Sequence, residues 1–439
     1  MLSHDENTLL CRVENGAPMG EIFRRHWMPA CLSEEVAEPD CDPVKIRLLG
    51  EDLVVFRDSD GKLGILDEYC PHRRASLAFG RNEECGLRCL YHGWKFDVDG
   101  NTLEMASEPA GTGFAGKIKQ KSYPAREGAG FVWIYMGSRE NMPEFEPPVF
   151  QPTPDTPIAT SKVIVNANWA QILEGAIDSA HSSTLHSSDM RPAKVPGAAS
   201  NNQYWQRPST DRAPRMAIER TPFGFRYCAI RKPIRDPQTH DYLRSTLFIA
   251  PYTVHIPSNN LHHIAILHVP MDDTHTYFYF LAFGGAACPD TENWRKFLHL
   301  QVGIDVDERY NNLRTRENNY KQDRQAMRLG NFTGVPGIPN QDIVMWETMG
   351  PIADRSLDRM GASDVAIVEF RRQMVEAARD FQKDGTVIGQ TEPRVPHHVL
   401  RSFEGVVPKT TDWRTAGVTE EEKRIRGMGE AGEMASAAE

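Results

Sequence analysis

The stretch whose reading decides the N-terminal fold runs from Cys70 to Trp94, CPHRRASLAFGRNEECGLRCLYHGW. It holds two mixed pairs, Cys70-Pro-His72 and, after sixteen residues, Cys89-Leu-Tyr-His92. Each pair sets one thiolate and one imidazole on a short loop. A zinc finger usually groups like with like, whereas mixed pairs on two facing loops suit a binuclear cluster. Cys85, four residues before Cys89, reads as a packed or partly exposed thiol rather than a ligand. Around the stretch lie short alternating apolar runs such as VKIRLLGEDLVVFRDSDGKLGILDEY, punctuated at Gly50-Glu51-Asp52 and Asp60-Gly61. That texture predicts a small all-β domain.

With two loops of this kind, one iron takes Cys70 and Cys89 and the other takes His72 and His92. This is the ligand set of a Rieske [2Fe-2S] centre, in which imidazoles replace two thiolates and raise the reduction potential. The CPHR run, the sixteen-residue spacing and CLYHGW resemble the Rieske domain of ring-hydroxylating oxygenase terminal subunits. Leu90 stands where many members carry Pro, a version similar to the phthalate 4,5-dioxygenase branch. Trp94 and Phe96 are placed to shield the cluster from water, while Arg73 and Arg74 face either partners or solvent.

The 439 residues, 40% of them hydrophobic, allow two or three domains. A formal charge of -10 without Lys/Arg-rich runs argues against nucleic acid as a partner. The polar, acidic start MLSHDENTLLCRVENG does not read as a signal peptide, and no apolar run reaches membrane-spanning length, so a cytoplasmic protein is expected. Eight cysteines there suit free thiols or metal ligands. The proline-rich NMPEFEPPVFQPTPDTP, residues 141–157, marks a linker, giving domains 1–157 and 158–439. Strand patterns follow at Phe223–Ile230, Tyr242–Tyr252, His262–Val269 and Thr276–Phe283. Behind Ser363-Asp364, residues Val365, Ile367 or Val368, Phe370, Met374 and Phe381 recur at helical period. The class is α+β, and the resemblance implies a helix-grip catalytic domain, an antiparallel sheet with helices.

In NANWAQILEGAIDSAHSSTLH, residues 166–186, the segment Ala167–His181 has helical composition, so Asp178 and His181, three apart, share a face. His186 lies about 140° further round an ideal helix, so both imidazoles meet one metal only if the helix breaks at Ser182-Ser183-Thr184. With a carboxylate from elsewhere they would form a two-His-one-carboxylate iron site with positions open for dioxygen. Asp-x-x-His-x-x-x-x-His resembles the family's mononuclear iron motif, which implies iron on His181 and His186. It also implies that Asp178 bridges His181 to His92 of a neighbouring subunit, in a homotrimer or a hexamer of stacked trimers. Asp342, in PNQDIVMWETMGPIADRS, is the expected third ligand by similarity to the family's segment, with Asp354 and Asp358 as competitors. Glu174 stands where several relatives carry Asn near the iron; a helix-face hydrogen bond is its plainer reading.

No Gly-rich dinucleotide fingerprint is present, so electrons come from a separate reductase. The resemblance implies an NADH-dependent partner carrying FMN and a [2Fe-2S] cluster, and cis-dihydroxylation of an aromatic acid such as phthalate at positions 4 and 5. An acidic protein binding such an acid needs arginines aimed into its pocket. Arg244 shares a strand face with Tyr242, Thr246 and Phe248, and Arg207 shares one with Gln203 and Trp205. Arg226, Arg231 and Arg235 are rivals, and Ser179 is a candidate hydrogen-bond donor. A monooxygenase or O-demethylase, or a chlorobenzoate or phenoxybenzoate dioxygenase, would share these motifs. A non-enzymatic Rieske electron carrier would lack the second iron.

Overall fold

The computed structural model describes residues 2–109, 111–151, 153–190, 207–258, 262–285, 287–390 and 397–428. The chain packs as two units, one of Arg12–Glu146 with Val269–Asp273, the other of Met1–Cys11, Pro147–His268 and Thr274–Glu439. This division differs from a single cut at 157, since the first eleven residues and the proline-rich stretch from Pro147 pack in the larger unit.

Among its described residues the smaller unit contains one three-stranded and two four-stranded antiparallel sheets. The quoted stretch supplies two similar loops. In the first, Arg74 N donates to Cys70 O and Cys70 N to Ala75 O; in the second, Gly93 N donates to Cys89 O and Cys89 N to Trp94 O. Each loop closes through a left-handed residue, Arg74 at φ 61° and Gly93 at φ 77°. A Cβ on Gly93 would lie 2.9 Å from that of Ala106, so glycine is needed there twice over. The two cysteines are buried in one core with Val54, Phe56, Leu66, Leu77, Leu87 and Phe96.

The larger unit is built on an antiparallel sheet with nine strands among the described residues. Its central run is β1 (Arg215–Thr221), β2 (Gly224–Arg231), β3 (His240–Ile249), β4 (Thr253–Ile256), β5 (His263–Pro270) and β6 (Thr276–Phe283). The expected single strand Tyr242–Tyr252 ends at Ile249 because Pro251 has no N–H to give a ladder. Along its free edge β3 pairs with β4 only over Leu247–Ile249, and β7 (Phe403–Pro408) takes the remainder, setting Arg244 opposite Glu404.

Among the helices packed on this sheet are α1 (Trp169–Ala176), α2 (Ile338–Thr348) and α3 (Val365–Asp384). Phe370 of α3 packs edge-on against Phe248 and Trp169, so the long helix lies on the sheet face that carries Arg244. Phe370 and Met374 are buried as the period predicts, whereas Val365 and Val368 are exposed. The opposite sheet face buries Cys228, Ile230 and Leu243 under Trp413 and Ala416. Among the described residues no helix is long and apolar enough to cross a membrane.

Candidate active site

Helix α1 ends at Ala176, five residues before the expected end at His181. Asp178 is the cause: its Oδ1 accepts from Ala180 N at 2.7 Å, a local turn that competes with helix. Asp178 therefore meets His181 across a turn rather than along a helix face, with Oδ2 3.4 Å from His181 Nδ1. A short 3-10 turn, His181–Ser183, then brings the second histidine back. Gly175 lets α1 approach α2, where a Cβ would meet Trp346 Nε1 at 2.2 Å.

Three donor atoms converge below that turn. His181 Nε2 and His186 Nε2 are 3.1 Å apart, and Asp342 Oδ1 on α2 lies 3.4 Å from the first and 3.2 Å from the second. Two ligands about 2.1 Å from one ion and at right angles lie about 3 Å apart, so the triangle fits one face of an octahedral metal. Among the described residues it is the one set of three His, Cys, Asp or Glu side chains this close together. Burial lowers His181, but hydrogen bonds and charge from Asp178 and Asp342 outweigh it and lift it to about 10. Burial raises Asp342, and the two histidines override it to about 2. A divalent cation bound at these atoms would take the place of the proton between them. Of the competitors, Asp354 accepts from Ser356 and Asp358 pairs with Arg371. Glu174 bonds to none of His181, His186 and Asp342; it receives Arg355 at 2.7 Å and Arg371 at 2.8 Å.

One partner was not foreseen. Gln341, beside Asp342 on α2, places Oε1 2.8 Å from His186 Nδ1, while its Nε2 donates to Asp189 Oδ2 at 2.7 Å and Val335 O at 2.9 Å. The amide holds His186 as the tautomer whose Nε2 is free for metal.

In the smaller unit His72 and His92 stack edge-on with centroids 4.3 Å apart, and Trp94 lies flat on His72 at 4.4 Å. Nδ1 of each histidine is buried without a hydrogen-bond partner. Burial raises the Cys70 thiol, and the adjacent Cys89 adds to it. Two buried thiols and two orphaned imidazole nitrogens suit a cluster that takes both cysteines as thiolates. Cys85 sits instead at a hairpin tip with φ 58° between strands 81–83 and 86–88. Arg73 lies over Tyr91, and Arg74 over Tyr69 and beside Asp67.

The triad lines a pocket walled by Ile266, Phe278, Phe280, Ile338 and Trp346, with Ser179, Arg207 and Arg244 also in its lining. Arg207 is 5% exposed and donates to Ser182 Oγ at 2.8 Å and Ser183 Oγ at 3.3 Å. Among the described residues no carboxylate pairs with it. Burial and the neighbouring Arg244 pull it down to about 9, so it stays protonated at neutral pH. Gln203 and Trp205, expected on its face, lie outside the described residues. Arg244 lines the pocket with Thr246 and shares its sheet face with Tyr242, as the strand period predicts, but Glu404 holds it at 2.8 Å. Of the rivals, Arg226 is on the opposite face and paired with Glu422, and Arg235 is exposed. Arg231 braces Ser179, donating to its carbonyl at 2.8 Å.

Both halves of the chain match known families. Residues 26–124 match the Rieske [2Fe-2S] domain, and residues 134–435 match the family described as LigXa C-terminal domain like. The chain belongs to the Rieske non-haem iron ring-hydroxylating oxygenases, as a terminal oxygenase subunit with a Rieske [2Fe-2S] cluster and a mononuclear iron. It is 59% identical over 415 residues, 94% of each chain, to the phthalate 4,5-dioxygenase oxygenase subunit of Pseudomonas putida. Identity is 33% over 438 residues to the 3-chlorobenzoate-3,4-dioxygenase oxygenase subunit of Comamonas testosteroni, covering 96% of this chain and 98% of that one. The solved structure of the Pseudomonas putida CBB5 NdmA QL mutant with caffeine shares the fold, with a TM-score of 0.56, 16% identity and coverage of 84% and 94%. Membership in an enzyme family removes the electron-carrier alternative.

Proposed function

We propose that this subunit cis-dihydroxylates an aromatic carboxylic acid, phthalate in the first place, to its 4,5-dihydrodiol. It would use O2 and electrons from an NADH-dependent reductase carrying FMN and a [2Fe-2S] cluster. The observation that carries this reading is Arg207, a buried guanidinium without a carboxylate partner among the described residues, in the lining of the aromatic-walled pocket that the triad also lines. An unpaired buried cation is costly, and a ligand carboxylate offsets that cost bidentately. The 59% identity to a phthalate 4,5-dioxygenase subunit supports phthalate over 3-chlorobenzoate.

In this reading Cys70, His72, Cys89 and His92 hold the cluster, and His181, His186 and Asp342 hold the iron. When bound, the cluster supplies single electrons and the iron supplies dioxygen activation. Asp178 and Gln341 each fix one iron-binding imidazole from its Nδ1 side. Arg207, Arg244 and Ser179 anchor the substrate carboxylates, while Phe278, Phe280 and Ile266 pack the ring and exclude water.

Residues 1–157 act as the relay domain and 158–439 as the catalytic domain of a cytoplasmic trimer or stacked-trimer hexamer, with electrons passing from His92 of one subunit to Asp178 and His181 of the next. In support, apolar side chains lie exposed at both ends of that route: Leu90 and Tyr91 beside His92, and Phe332, Met345 and Met349 around the hollow holding Asp178. Arg207→Ala should weaken phthalate binding by about 100-fold, the loss of a charge-assisted pair. Unchanged affinity in both Arg207→Ala and Arg244→Ala overturns the pocket assignment.

A further inference from the structure

The ladder between β3 and β7 puts Glu404 directly across from Arg244 and Val406 across from Tyr242. Because side chains alternate along a strand, Glu404 projects to the same sheet face as Arg244. Its Oε2 accepts from Arg244 Nη1 at 2.8 Å and its Oε1 from the Tyr242 hydroxyl at 2.6 Å. All three side chains are at least nine-tenths buried. On the other side of β3, Tyr242 pairs with Arg231 and Arg244 with Ala229, so the same face also carries Arg231.

Arg207 and Arg244 line the pocket, and Arg231 lies near enough to both for their charges to repel. The Nε of each is buried without a hydrogen-bond partner. Arg207 and Arg231 are held by serine oxygens, which are neutral. Among the described residues Glu404 is the carboxylate bonded to this group, accepting from Arg244. Asp342 belongs to the metal triad and Asp178 faces its His181, where a divalent cation would answer them. Among the described residues, three guanidiniums against one bonded carboxylate leave two positive charges for a ligand, with Asp211 attracting Arg231 without bonding to it.

We propose that Glu404 is a specificity-determining residue: by occupying Arg244 from across the strand pair, it lowers the positive charge offered by the buried arginines, and so sets how far the pocket favours a dianionic arene over a monoanionic or neutral one. The proposal rests on the reading of the pocket as an aromatic-acid site. Glu404 touches no substrate in this scheme. It acts through Arg244, both by holding the guanidinium in place and by cancelling one of its neighbours' charges.

Calorimetric titration of the iron-loaded full-length protein tests this with phthalate, benzoate and dimethyl phthalate, which carry two, one and no negative charges. Glutamine keeps one acceptor oxygen for Arg244, can donate its amide to the Tyr242 hydroxyl, and removes the charge. In Glu404→Gln, phthalate should bind about tenfold more tightly and benzoate about threefold, in proportion to ligand charge, with the diester unchanged. Equal changes for phthalate and benzoate, or weaker phthalate binding, would show that Glu404 only positions Arg244 and would overturn the proposal. Wild-type protein that prefers the diester to phthalate would instead sink the aromatic-acid reading itself. Should Glu404→Gln not fold, removing both charges avoids an uncompensated buried cation. Arg244→Met/Glu404→Gln should then bind phthalate more tightly than Arg244→Met alone, and equal or weaker binding overturns the proposal.

Discussion

Gln341 Oε1 lies 2.8 Å from Nδ1 of His186, and both side chains are almost fully buried. The contact gives His186 a neutral amide where His181 has the Asp178 carboxylate. Gln341→Leu should therefore free the His186 ring and raise the Fe(II) dissociation constant by about 10- to 100-fold, with the Rieske absorption unchanged. Competition with a coloured Fe(II) chelator measures it; wild-type affinity would deny Gln341 this role.

Asp178→Asn keeps the local turn, since an amide oxygen still accepts from Ala180 N, but removes the charge facing His181. Both metals should stay bound while electron transfer from cluster to iron slows by at least about tenfold. Stopped-flow oxidation of the reduced cluster under substrate and O2 reads this rate. An unchanged rate would take Asp178 off the electron route.

Much of this site was legible in the order of residues. The two Cys/His pairs carry their chemistry in identity and spacing, and the period of two along β3 put Arg244 with Tyr242, Thr246 and Phe248. The same period separates Arg226 from Arg231, but without a partner strand it could not say which face was the pocket. The end of α1 was missed because Asp178 competes for backbone hydrogen bonds that composition alone assigns to a helix. Glu404 was invisible for a topological reason: it lies 160 residues beyond Arg244, and only the β3–β7 register joins them. Gln341 was overlooked beside the more conspicuous Asp342.

The C-terminal helix Glu420–Ile425 is pinned by Glu422, which receives Arg226 at 3.1 Å with both side chains fully buried, and by Arg426. Glu422→Ala strands the Arg226 charge and should cost about 3–5 kcal/mol. Arg226→Met/Glu422→Leu should recover most of that loss. Urea unfolding followed by far-UV circular dichroism checks the order; a double variant less stable than the single would contradict it.

His268 on β5 is buried, and burial drives it down to about 3 against the opposing hydrogen bond to Tyr252 O. Its folded value lies below the unfolded value near 6.5, so the unfolded chain binds a proton first as pH falls. The neutral ring's contribution is whole above about 6.5 and is lost progressively toward 3, at up to about 1.4 kcal/mol per pH unit. His268→Phe cannot take up that proton and should flatten the acid side of the stability profile between pH 6.5 and pH 4. Denaturation midpoints across that range test it; parallel profiles would show that His268 does not set the slope.

The central claim is tested most directly by a single turnover of the pre-reduced, iron-loaded protein with phthalate under 18O2, followed by mass analysis of the product. A 4,5-cis-dihydrodiol carrying two labelled oxygen atoms is the expected result. A phenol with one labelled atom, or phthalate returned unchanged while the cluster is oxidised, would contradict it.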